Sequence, residues 1–201
     1  MRKVFTLVIL LSVIISNAQV KFTYAGQQIT TSKNNIYVNP KKKNNAKVYI
    51  YNNVKEALRC AEVLQKTRSA NDTTWTNIYI EPSVYWIDNP NDTTTHMPLP
   101  GEHIPYGMKL KLNRTRLIGI SGNPKDVILA AQRGQTQGAI GNFTMLHLTG
   151  NDFHAENITF GNYCNVDLIY EPNAKLNRKK RSNAIVQAQL VICNGTRYTA
   201  K

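Results

Sequence analysis

Acidic side chains are scarce in this chain: 12 Asp and Glu stand against 25 Lys and Arg, a formal net charge of +13. Such an imbalance implies an anionic partner. Cysteine is nearly absent as well. Cys60, Cys164 and Cys193 are odd in number and widely spaced, which excludes a disulfide framework and allows at most one pair. The four histidines, His96, His103, His147 and His154, lack the i, i+4 or C-x-x-C company of a metal centre, so neither a metal nor a cofactor is expected. His147 and His154 alternate with apolar residues, as strand positions do.

Long apolar runs are missing too, except at the start. Arg2 and Lys3 precede an apolar stretch from Val4 to Ile15, and Ser16-Asn17-Ala18 forms a small-x-small site. This is the pattern of a secretory signal peptide over residues 1–18. Its roughly twelve apolar residues fall short of the about twenty that span a bilayer, so no membrane anchor is expected. The expected location is therefore secreted, extracellular or periplasmic. Outside the cell the acidic partner is more readily an anionic polysaccharide or a cell surface than a nucleic acid.

The mature chain divides into a polar leader over 19–45 and a body over 46–201. In the body, Val54, Leu58, Ala61 and Leu64 share one helical stripe, while Glu56, Arg59, Glu62 and Gln65 fall on the outward side. After Lys66 the apolar period changes to two: Ile78 and Ile80, then Met108, Leu110 and Leu112, then Leu117-Ile118-Gly119-Ile120 and Val127-Ile128-Leu129. Further short strands are expected at Met145 to Leu148, Phe153 to Phe160 and Val186 to Ile192. One helix followed by many short strands argues for an all-β body, and pattern alone leaves a sandwich and a coiled solenoid both open. The insert from Asp88 to Gly107 carries Pro90, Pro98, Pro100 and Pro105 and cannot be a strand interior.

Several segments are familiar in order and register. Val54-Lys55-Glu56-Ala57-Leu58 resembles the "x-x-E-A-[IL]" helix of pectinesterases, and Ile78 to Tyr85 resembles their "I-x-I-x-x-G-x-Y" strand, with Ser83 in place of Gly. Thr115 to Leu129 is similar to the "L-x-G-x-G…T-x-I" strand pair. Phe153-His154-Ala155-Glu156-Asn157-Ile158-Thr159-Phe160 is similar to "F-x-A-x-N-I-T-F". Gln187-Ala188-Gln189-Leu190 resembles the opening of "Q-A-V-A-L". The "D-G-S-G" segment that commonly precedes the helix is replaced by Lys41-Lys42-Lys43-Asn44-Asn45.

This resemblance to the N-terminal portion of the pectinesterase family, within the pectin-lyase-like superfamily, implies an all-β right-handed parallel β-helix, a solenoid with an N-terminal capping helix, C-terminally incomplete at Lys201. It also implies cofactor-free hydrolysis of methyl esters of polygalacturonate. In that chemistry one Asp attacks the ester carbonyl, a second acts as acid and then base, and glutamine amides donate to the oxyanion. Gln187 matches the first of these glutamines. The family's two aspartates would fall beyond Lys201, so the 201-residue chain itself is expected to be inactive, and no pair among its own carboxylates stands in for them. Gln135 and Thr136 lie in a Gly-rich loop where family members carry a substrate-contacting Thr. Arg178 and Lys179 belong to the basic run before Gln187 and are candidate contacts to pectin or another anionic polysaccharide. A β-helix polysaccharide lyase and a noncatalytic anionic-glycan-binding protein are the competing readings.

Cleavage after Ala18 is expected on export, and mass spectrometry of secreted material should give a start near Gln19. Exported chain that retains Met1 would exclude the signal peptide.

Overall fold

The computed structural model describes residues 19–69, 71–88, 107–132, 143–163, 166–169, 177–180 and 188–201. The polar leader is folded. Strands β1 (Lys21–Tyr24) and β2 (Gln27–Thr30) form an antiparallel hairpin, closed by Ala25 at φ 47° and Gly26 at φ 76°. Two consecutive positive φ values match the right-handed twist of a two-residue hairpin. Phe22 anchors the ribbon by stacking on Tyr37 with ring centroids 4.4 Å apart.

Strands β3 (Asn35–Val38) and β4 (Ile50–Tyr51) precede the helix α1 (Val54–Lys66). Asn53 caps the helix, its side chain accepting from the Glu56 N–H at 3.0 Å, and so satisfies one of the first-turn donors. Of the predicted stripe, Val54, Leu58 and Ala61 are fully enclosed and Leu64 is partly buried against the same core, which Ala57 also joins. Two residues on the outward side also have partners. Gln65 brackets the backbone of Asn113, accepting from its N–H at 2.6 Å and donating to its carbonyl at 2.7 Å, and Glu62 accepts from the Lys111 N–H at 2.8 Å.

The remaining strands are β5 (Thr76–Ile80), β6 (Ser83–Trp86), β7 (Met108–Leu110), β8 (Thr115–Gly119), β9 (Val127–Ala131), β10 (Phe143–Leu148), β11 (Phe153–Glu156), β12 (Thr159–Asn162), β13 (Val166–Ile169), β14 (Asn177–Lys180), β15 (Ala188–Cys193) and β16 (Tyr198–Ala200). They form a six-stranded parallel sheet in the order β16-β11-β8-β5-β3-β4 and two three-stranded parallel sheets, β12-β9-β6 and β15-β10-β7. β13 and β14 pair antiparallel. From β5 to β12 the chain places one strand in each parallel sheet in turn.

The expected all-β solenoid with a capping helix is corrected to a mixed architecture. Three parallel sheets of unequal size, two antiparallel ribbons and a helix share the molecule, and the helix belongs to the main core. Its buried residues join Ile36, Ile78, Leu117, Leu148 and Phe153 in one cluster. Apolar alternation identifies strands one by one, but it carries no information on how strands divide among sheets.

Successive turns pack in contact at one corner. A Cβ on Gly150 would lie 1.9 Å from the Leu112 carbonyl oxygen, and one on Gly195 would lie 1.8 Å from that of Gly150; only glycine fits there. Asparagines bind the same corner: Asn113 Oδ1 accepts from the Asn151 N–H at 2.9 Å, and Asn151 Oδ1 accepts from the Thr196 N–H at 3.0 Å.

Because Leu58 is fully buried in the shared core, Leu58→Ala should cost about 2–5 kcal/mol of unfolding free energy in urea titrations. Val63→Ala on the exposed side should stay within about 0.5 kcal/mol. Equal effects of the two would show that the helix is not part of the core.

Candidate functional site

Parallel pairing without slippage puts equivalent residues of neighbouring strands side by side. On the outer face of the six-stranded sheet, one row runs Asn77, Arg116, His154, Thr199, and the next runs Tyr79, Ile118, Glu156. With Trp75, which immediately precedes β5, and Tyr24 from the hairpin, these rows line an open cleft of about 440 Å³. The Arg116 guanidinium lies 4.2 Å above the centre of the Trp75 ring, a cation–π contact. Among the described residues Arg116 enters no ion pair with a carboxylate. Tyr24 packs against Tyr79 with centroids 5.4 Å apart.

A hydrogen-bonded relay crosses the cleft. His154 Nδ1 is 2.6 Å from Thr199 Oγ1, and its Nε2 is 3.0 Å from Glu156 Oε2. The other oxygen of Glu156 accepts from the Tyr24 hydroxyl. That hydroxyl and the imidazole together hold the Glu156 carboxyl below its ordinary value, with Tyr24 the larger influence. The Tyr24 phenol is pushed up to about 12, first by burial and then by its bond to Glu156. An ionised carboxylate only accepts, so His154 Nε2 carries the hydrogen, and in the neutral imidazole Nδ1 is left to accept from the Thr199 hydroxyl.

A second, polar cavity of about 230 Å³ includes Arg68, Asp72, Arg114, Asp152 and Arg197. Its three arginines share two aspartates. Arg197 grips Asp152 through both carboxylate oxygens, one of them at 2.8 Å, and Arg114 stands 3.9 Å from the same carboxylate. The Arg197 contact holds the Asp152 carboxyl below its usual range. Arg114, Asp152 and Arg197 all have φ between 46° and 61°. They occupy the same turn position before β8, β11 and β16, so this ion-pair column braces the stacked corner.

Of the residues singled out from sequence, Gln187, Gln135 and Thr136 lie outside the described residues. Arg178 and Lys179 fall on β14, opposite Leu168 and Asp167 of β13. Lys41, Lys42 and Lys43 are exposed. Lys41, Lys42 and Lys43 do not line the cleft, whereas His154 does. Glu156 and His154 were visible in sequence as alternate positions of one strand. Their link to Tyr24 and Thr199 spans 132 and 45 residues, a separation that local pattern does not bridge.

The Phe153–Phe160 motif has a plain structural meaning. Phe153 and Ala155 point into the core, and Asn157 turns the corner at φ 56°. Cys60 and Cys193 are free thiols, each raised above the ordinary cysteine value by burial. No three His, Cys, Asp or Glu side chains gather as a metal site among the described residues, and no helix among them is long and apolar enough to cross a membrane. Comparison with protein-family models, curated proteins and solved structures finds no match to this chain.

The depressed Glu156 carboxyl makes stability pH-dependent. A group whose folded value lies below its unfolded one, about 4.3 for glutamate, contributes fully above that unfolded value and loses its contribution as pH falls through the folded one. Glu156→Gln should therefore lower the urea midpoint at neutral pH and make its decline in acid shallower. Parallel curves for the two proteins would remove the linkage.

Proposed function

We propose that this chain is an exported, pectinesterase-like protein that engages an anionic polysaccharide of the polyuronate type. The observation that carries the reading is the cleft in which Arg116, without a carboxylate partner among the described residues, lies over Trp75 beside Tyr24 and Tyr79. A uronate sugar presents what such a site accepts: an apolar C–H face to lie on aromatic rings and a carboxylate to pair with a planar guanidinium. The excess of basic residues favours the same class of partner by drawing a polyanion towards the surface.

Within that class the activity proposed for the lineage is hydrolysis of methyl esters of polygalacturonate, for which this chain supplies Gln187 as a candidate oxyanion donor. Its support is the ordered set of sequence motifs from Val54 to Leu190. A preorganised donor to a developing oxyanion is worth on the order of 2.7–4 kcal/mol, which is why a glutamine at that place has chemical meaning. Export is supported by the charge, apolar length and small residues of the first 18 positions.

Affinity electrophoresis in polygalacturonate gels tests the binding. The wild-type chain should be retarded, Arg116→Ala should weaken retardation about tenfold or more, the loss of one charge-assisted contact, and Trp75→Ala should also weaken it by removing the stacking face. Retardation should fall with added salt, because exposed charges are screened over about 8 Å at physiological ionic strength. Arg116→Ala with wild-type affinity would rule out the cleft as the binding site.

A further inference from the structure

We propose that Thr199, His154 and Glu156 form a nucleophile, base and orienting group that hydrolyse a carboxylic ester, with Arg116 anchoring an anionic substituent of the substrate beside them. This rests on the polyuronate reading and adds chemistry to the same cleft. β11 and β16 pair so that His154 lies opposite Thr199, and His154 and Glu156 are alternate residues of one strand, so all three side chains emerge on one face. The two bonds, 2.6 Å from Thr199 Oγ1 to Nδ1 and 3.0 Å from Nε2 to Glu156, lie within the reach that couples a hydroxyl to a base and a base to its orienter. Tyr24 holds the far oxygen of Glu156, which fixes the carboxylate and, through it, the imidazole tautomer. Thr199 is an exposed residue on β16, the edge strand of its sheet among the described residues, and Arg116 is the neighbour of His154 in the same row.

The step balances without any further reagent than water. Thr199 Oγ1 bonds to the ester carbonyl carbon while its proton passes to His154 Nδ1, and the carbonyl electron pair moves onto oxygen. When that pair returns, the bond to the alkoxy group breaks, and His154 hands the proton to the departing alcohol. Water then adds to the acyl group on Thr199, giving its proton to His154. Collapse frees the carboxylic acid and restores the threonine hydroxyl.

Acyl transfer to Thr199 is the readout that a purely structural relay would not produce. The full chain, incubated with p-nitrophenyl acetate and quenched in acid, should carry an acetyl group on Thr199 by peptide mass spectrometry. Thr199→Ser should keep the adduct. Thr199→Val, checked for folding by circular dichroism, should lose it, and His154→Gln should slow its formation by about a hundredfold or more. An unmodified Thr199, or equal hydrolysis by wild type and Thr199→Val, would overturn the proposal. Polygalacturonate binding with no adduct rejects the catalytic set and leaves the binding reading standing. An adduct without polygalacturonate binding upholds the catalytic set and rejects only the polyuronate reading.

Discussion

The in-register parallel pairing of β3, β5, β8, β11 and β16 is the constraint on which both core and cleft depend. Strand side chains alternate between faces, so a register that places Ile36, Ile78, Leu117 and Ala155 in one inward row also places Asn77, Arg116, His154 and Thr199 in one outward row. A slip of one residue between any two strands would exchange the rows and turn arginine and histidine into the core. Burial of the inward row, from 0% exposure at Ile36, Ile78 and Leu117 to 4% at Ala155, therefore sets the geometry of the outward one. The corner reinforces this: glycines at 150 and 195 and asparagines at 113 and 151 hold successive turns at a fixed offset.

In-register stacking brings side chains from equivalent positions within a few ångströms, which is costly where charges of one sign would meet. Several of the described carboxylates are already engaged, one of them in such a stack. Asp152 sits between Arg114 and Arg197 in the corner column, and Asp72 stands 3.7 Å from Arg68. Glu156 is taken by Tyr24 and His154. With these acids committed, Arg116 is left over Trp75 instead of a carboxylate.

Much of the local structure was legible in the sequence. The stripe of Val54, Leu58 and Ala61 marked the helix, and the alternation around Ile78, Leu110, Leu117 and Val127 marked strands where strands are found. The partition of those strands into sheets of six, three and three was not legible, because it depends on which edges meet and not on the period within any segment. The hairpin of the leader was missed for a related reason. Val20, Phe22 and Tyr24 do alternate with Lys21 and Thr23, but the run is short, lies in an Asn- and Lys-rich leader, and packs on Tyr37 and Tyr79 of other strands. The cleft inherits both gaps, since it joins residue 24 to residues 75–79, 116–118, 154–156 and 199.

The hairpin matters to the chemistry because of where it leaves one proton. Aromatic packing, with Phe22 stacked on Tyr37 and 5.1 Å from Tyr79, delivers the Tyr24 hydroxyl to Glu156. Burial and the adjacent carboxylate push that phenol up to about 12, while the same bond draws the Glu156 carboxyl down. The hydrogen bond contributes to both shifts, beside burial at Tyr24 and the imidazole at Glu156, and both keep the proton on tyrosine. Over the range between them Tyr24 remains a donor and Glu156 an acceptor with one oxygen occupied. Its second oxygen is left to accept from His154 Nε2, and in the neutral imidazole that leaves Nδ1 as the acceptor facing Thr199.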